Sequence, residues 1–144
     1  MSTLFYPELC EIKPKCKANH FDLIISNPCF ELWLYYGYFD KTPDNNGFIK
    51  PPIKKISSNF KTYLNQKLTE IGEGGADPRK AIFKINEAIS NAKLNFNKDR
   101  KGIPKVYSTN MFQLAEKLLP LIETELKHIA EELKKRAEAF KKGN

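Results

Sequence analysis

The chain has 144 residues, of which 41% are hydrophobic and 28% charged, and its formal net charge is +7. That length suits one domain with a real core, and the apolar content excludes a disordered chain. No apolar run approaches the roughly 20 residues needed for a membrane-crossing helix. Cys10, Cys16 and Cys29 lack Cys-x-x-Cys spacing, so neither a disulfide framework nor a zinc site is indicated. The first residues lack the basic start and apolar core of a signal peptide, and a reduced, cytoplasmic setting is expected.

Pro7 and Pro14 interrupt any long helix in residues 1–20, leaving about one turn at 8–12. His20 reads as a surface or edge residue rather than a ligand. Phe21, Leu23, Ile24 and Ile25 suit a short buried strand, since two adjacent residues are β-branched. Ser26 and Asn27 can then turn the chain and cap a helix whose first position is Pro28. The carboxyl end of such a strand, facing a helix N-terminus, is where α/β folds place ligands. The helix from Pro28 to about residue 39 carries Phe30, Leu32, Trp33, Leu34, Tyr35 and Tyr36, so it has almost no polar face and belongs in the core. Glu31 is its only charged residue. Two readings of Glu31 compete. It can complement the helix dipole by accepting from free N–H groups. Alternatively it contacts a metal or substrate at the strand edge, where one carboxylate needs further ligands.

Turn signals fill residues 40–52. A helix is expected over 53–71, with Ile53, Ile56, Phe60, Leu64, Leu68 and Ile71 at helical spacing and Lys50, Lys54 and Lys61 on the opposite side. The glycine-rich 72–76 lacks Gly-Lys-Ser/Thr and follows a helix, so it is a connection rather than a phosphate loop. Asp77 and Pro78 supply an N-cap and a first-turn proline for a helix reaching about residue 94. Arg79, Lys80 and Lys84 in its first turns oppose the helix dipole, which favours an anionic partner. A polar loop with Lys98, Arg100, Lys101 and Lys105 follows. Ser108 or Thr109 is expected to cap a helix over 110–119, which Pro120 kinks or restarts. An amphipathic stripe continues into a basic tail expected to fray.

The surplus of positive charge is uneven. Residues 50–105 carry thirteen Lys/Arg against five Asp/Glu, whereas residues 1–49 carry four against six. A phosphate backbone would be drawn to that middle segment by Coulomb attraction and counterion release. The candidate nucleic-acid-binding residues are Lys50, Lys54, Lys61, Lys80, Lys84, Arg100 and Lys101. Such contacts position a backbone without reading its sequence.

The run Ser26-Asn27-Pro28-Cys29-Phe30-Glu31-Leu32-Trp33-Leu34, with Tyr107-Ser108-Thr109-Asn110 and Leu114, Leu118 and Leu119 downstream, resembles the RloB-like family over about residues 18–125. The motif residues are Ser26, Asn27, Pro28, Phe30 and Trp33, then Ser108, Thr109 and Asn110. That family is associated with bacterial phage defence and restriction loci, and is related to Toprim metal-dependent nucleases. The resemblance implies an α/β, helix-rich fold in which one short strand precedes several helices, like a truncated Toprim-like domain. It implies one domain over 1–144, with 1–20 the end of an N-terminal half and 126–144 a helical basic tail.

Toprim relatives hold Mg or Mn with a glutamate and an Asp-x-Asp pair on earlier strands. Neither motif occurs in this sequence, and Gly37 stands where the resemblance implies a histidine. The expectation is a chain that has no cofactor and is inactive alone, with Glu31 its one candidate catalytic residue and no metal site of its own. Mg or Mn would enter only if a missing N-terminal part completed the site. A non-catalytic module that binds nucleic acid or a partner remains open. The partners implied are nucleic acid, a defence ATPase or the missing half, and a second copy pairing with an exposed strand edge; no membrane is implied.

Overall fold

In the computed structural model, which describes residues 6–43, 56–71 and 77–143, Tyr6–Ala18 forms a helix (α1) with Pro14 inside it. It is longer than the single turn expected from the prolines because its supports lie elsewhere. Lys15 pairs with Glu11 one turn back at 2.7 Å. The Tyr6 hydroxyl donates to the Asp99 carboxylate, and the Lys13 ammonium donates to the Lys101 carbonyl at 2.9 Å. None of the α1 side chains is buried, so polar tethers attach it rather than the core. It ends with the Phe21 N–H donating to the Cys16 carbonyl and the His20 N–H to that of Lys17, while His20 takes the left-handed conformation (φ 59°).

No strand forms over 21–25. The Asn110 side chain meets that backbone instead, accepting from the Ile25 N–H at 2.7 Å and donating to the Leu23 carbonyl at 2.9 Å. Phe21 is 70% exposed. The ladder lies one step further on. Ser26–Asn27 (β1) pairs antiparallel with Ser108–Thr109 (β2), Ser26 opposite Thr109 and Asn27 opposite Ser108. The expected strand thus has a partner inside the chain, and that partner comes from residues expected to cap a helix.

The second helix, α2, spans Glu31–Tyr36 rather than starting at Pro28. Phe30 stands at its N-cap, and Asn27 instead accepts from the Tyr107 N–H with its backbone carbonyl and donates its amide to the Pro104 carbonyl. Leu32, Trp33, Leu34, Tyr35 and Tyr36 are all buried, as the apolar pattern requires. This short helix packs between Ile56–Thr69 (α3) and Ile85–Leu94 (α4), and α4 packs in turn against the last helix, α5. Leu64 and Leu68, then Ile85, Ala88, Ile89 and Ala92, complete the core with Phe112 and Ala115. Lys50, Lys54, the loop tip and the glycine-rich 72–76 lie outside the described residues.

Asp77 caps as expected, accepting from the Arg79 N–H at 2.9 Å, but Pro78–Lys84 is a 3₁₀ segment and α4 starts only at Ile85. The final helix, α5, runs unbroken over Met111–Lys142, through Pro120. Leu119 and Ile122 flank that proline and pack on the core, which holds the helix where the local rule breaks it. Among the described residues, only the isolated Lys98–Pro104 bridge adds to β1 and β2. No described helix is long and apolar enough to cross a membrane.

Trp33 is 7% exposed. Trp33→Ala is expected to cost about 3–5 kcal/mol, the usual scale for deleting a buried aromatic. Denaturant unfolding measures it, and wild-type stability would contradict the packing.

Candidate functional site

The two sequence signatures, some eighty residues apart in the chain, meet in one buried polar clamp. Besides the ladder, the Ser26 and Thr109 hydroxyls share a hydrogen bond of 2.7 Å. The Ser108 hydroxyl accepts from the Asn97 N–H at 2.9 Å, and Thr109 Oγ1 accepts from the Met111 N–H at 3.1 Å. The Tyr36 hydroxyl donates to the Tyr107 carbonyl at 2.6 Å, joining α2 to the same place. Asn27, Ser108 and Thr109 are buried. Their polar atoms are engaged by surrounding backbone and side-chain groups, so this cluster holds elements in position.

Glu31 sits at the start of α2, 26% exposed, with the Lys61 ammonium 3.5 Å away on α3. Burial pushes its carboxyl up, but its own backbone N–H, the Cys29 thiol and Lys61 outweigh that and hold it below the usual glutamate range. In return, burial and then the hydrogen bond to Glu31 push the Cys29 thiol up to about 11. The site therefore contains a carboxylate matched by an ammonium and a thiol that stays protonated at neutral pH.

The proposed cations divide between two regions. Lys61 is committed to Glu31, and Lys84 lies 4.0 Å from Glu87 with its ammonium 5.3 Å from the Tyr38 ring centroid. Lys80 is exposed on the 3₁₀ segment. Arg100 and Lys101 belong to a tight turn beside α1. There Asp99 accepts from the N–H groups of Lys101 and Ile103, and Ile103 is buried as an anchor. The Tyr6 hydroxyl and then the Ile103 N–H hold the Asp99 carboxyl below its ordinary range. At Gly102 the φ of 77° favours glycine, and a Cβ there would displace the Lys13 ammonium.

A family model described as RloB-like protein matches residues 8–118, a span that contains every residue of the clamp. The chain belongs to the RloB-like family. No curated protein and no solved structure matches it.

A Toprim-type metal site needs clustered carboxylates to grip divalent ions. Among the described residues of this RloB-like chain, no three His, Cys, Asp or Glu side chains converge. Glu31 faces a thiol and an ammonium, where a divalent ion would need further anionic oxygens. These residues do not fit such a site. Asp22 pairs with Lys117 at 2.6 Å instead. Sequence reasoning passed over Lys13 and Lys17, which stand beside the Arg100 turn and its neighbour Lys98. Their i, i+4 spacing was readable, but only once a helix through Pro14 is granted.

Two predictions follow from these electrostatics. Removing the carboxylate in Glu31→Gln should lower the Cys29 pKa, so alkylation of Cys29 at mildly alkaline pH should accelerate. Peptide mass mapping over time reads this, and an unchanged rate would show that Glu31 does not bear on the thiol. The depressed Asp99 pKa stabilises the fold fully above the unfolded-state value of about 3.9, and that contribution is lost as pH falls through the lower folded value. Asp99→Asn should therefore remove part of the acid-side loss of stability, visible as converging melting temperatures of mutant and wild type below pH ~4.

Proposed function

We propose that this chain is the phosphate-contacting part of an RloB-like phage-defence protein, related to Toprim nucleases and working in the cytoplasm. The observation that carries this reading is the gathering of Lys13, Lys17, Lys98, Arg100 and Lys101 where α1 meets the 98–102 turn. The nearby carboxylates are Asp22, already paired with Lys117, and Asp99, already engaged by Tyr6. The region therefore keeps a surplus of positive charge on a rigid turn, which attracts a phosphate backbone. Family membership supports the defence setting. Any Mg- or Mn-holding carboxylates would, in this reading, come from outside these residues or from another polypeptide.

A second reading is a non-catalytic module that docks on a protein, such as a defence ATPase or another copy of the chain. The observation favouring it is the apolar surface along α5, where Leu121 is 79% and Phe140 74% exposed.

Labelled DNA and RNA titrated at two salt concentrations test the first reading. Binding is expected to be weakly sequence-dependent, to fall steeply with salt, and to bring no turnover by this chain with Mg or Mn. No binding at low salt would remove the nucleic-acid reading. Cleavage abolished by Glu31→Gln would restore Glu31 as a catalytic residue, and cleavage surviving that change would place a site elsewhere.

A further inference from the structure

We propose that the cleft bounded by α1, residues 20–23 and the 98–102 turn binds a single-stranded nucleic-acid segment, with its phosphates on Lys17 and Lys98 and one base stacked on Phe21. This deepens, and rests on, the nucleic-acid reading given above. The cleft is open to solvent and encloses about 670 Å³, enough for a nucleotide unit. Lys17 and Lys98 are exposed on its walls, and neither forms an ion pair with a described residue. Lys13, on the same wall as Lys17, is held in place by the Lys101 carbonyl.

Phe21 decides the class of ligand. It is 70% exposed in a cleft that Lys13, Lys17 and Lys98 also line, so its ring is available for stacking beside cationic side chains. Its backbone is fixed by the N–H bond to the Cys16 carbonyl at 2.9 Å, so the ring is presented from a stable position. An aromatic face between lysines is the combination that engages unpaired bases and their backbone together. A duplex keeps its base faces stacked inside and offers none to Phe21. Gln113 lines the cleft with an exposed amide, able to donate and accept at a base edge or a 2′-hydroxyl.

The test uses the full chain with a short labelled oligonucleotide as DNA, as RNA and as duplex. Single strands are expected to bind more tightly than the duplex, and DNA against RNA shows whether the 2′-hydroxyl is read. Phe21→Ala should weaken single-strand binding about tenfold, the scale of one lost stack. Lys17→Gln with Lys98→Gln should lower the log–log salt slope by about 1.4, for two phosphate contacts to a single strand. Phe21→Trp should keep binding and show fluorescence quenching by the stacked base, against the background of the buried Trp33. All three positions are exposed, and unchanged melting temperatures confirm folded variants. If wild type binds no nucleic acid at low salt, the broader reading and this cleft fall together. If wild type binds but the variants keep its affinity and salt slope, the cleft is wrong and the broader reading stands. Equal affinity for duplex, binding of Phe21→Trp without quenching, or competition by polyglutamate as strong as by oligonucleotide would each overturn the stacking cleft.

Discussion

Two residue pairs, Ser26 with Thr109 and Asn27 with Ser108, hold together segments more than eighty residues apart. Closing so long a loop carries an entropic cost that the few bonds of a two-residue ladder do not offset alone. The side chains around it supply the rest. Asn110 replaces a neighbouring strand for residues 23–25, Asn27 reaches the Pro104 carbonyl, and Tyr36 reaches that of Tyr107. Among the described residues, no buried side-chain polar atom lacks a partner. That condition matters because an unpaired group here would forfeit about 1–3 kcal/mol. The clamp brings the starts of α2 and α5 together, so that α4 can bury its stripe against both.

What could be read from the sequence follows from which interactions are local. The apolar run Leu32, Trp33, Leu34, Tyr35 and Tyr36 declared a buried helix, and Ala88, Ile89 and Ala92 declared the core face of α4. The Asp77 cap was equally legible, because it is satisfied two residues away by Arg79. Ser26, Asn27, Ser108 and Thr109 were read as turn and cap residues for the same local reason. In the fold Thr109 does accept from the first N–H of the last helix, at Met111, but it also meets Ser26, and Asn27 pairs with Ser108, so no window of sequence contains both halves of the clamp. Pro14 misled in the opposite direction, and the last helix likewise continues through Pro120. Each removes one helical bond, but tethers from Tyr6 and Lys13, and core packing by Leu119 and Ile122, outweigh that loss.

The same logic explains the candidate site. Lys61 lies thirty residues beyond Glu31 on a separate helix, so their ion pair was not foreseeable from spacing. Gly37, where the family resemblance implies histidine, closes α2, and a Cβ there would stand 3.1 Å from both the Leu34 carbonyl oxygen and Lys84 Cβ. The 3₁₀ segment ending at Lys84 approaches α2 too closely for a larger residue unless Lys84 shifts. The small residue at Gly37 is therefore bound up with how the 3₁₀ segment packs on α2.

The polar residues of the clamp and the residues that carry charge differ in exposure for a physical reason. Buried polar groups are tolerated when they are hydrogen-bonded, as Asn27, Ser108 and Thr109 are here, with the partly buried Ser26 and Asn110 among their neighbours. Lysine and arginine hold their charge in water and cost little to leave there, so Lys17, Lys98 and Arg100 are exposed on α1 and the outer turn. The turn still inherits its shape from the interior. Ile103 is buried and the Pro104 carbonyl accepts from Asn27, so the backbone carrying Lys98 to Lys101 is fixed at one end by the clamp itself. The buried clamp thereby sets where the charged surface stands.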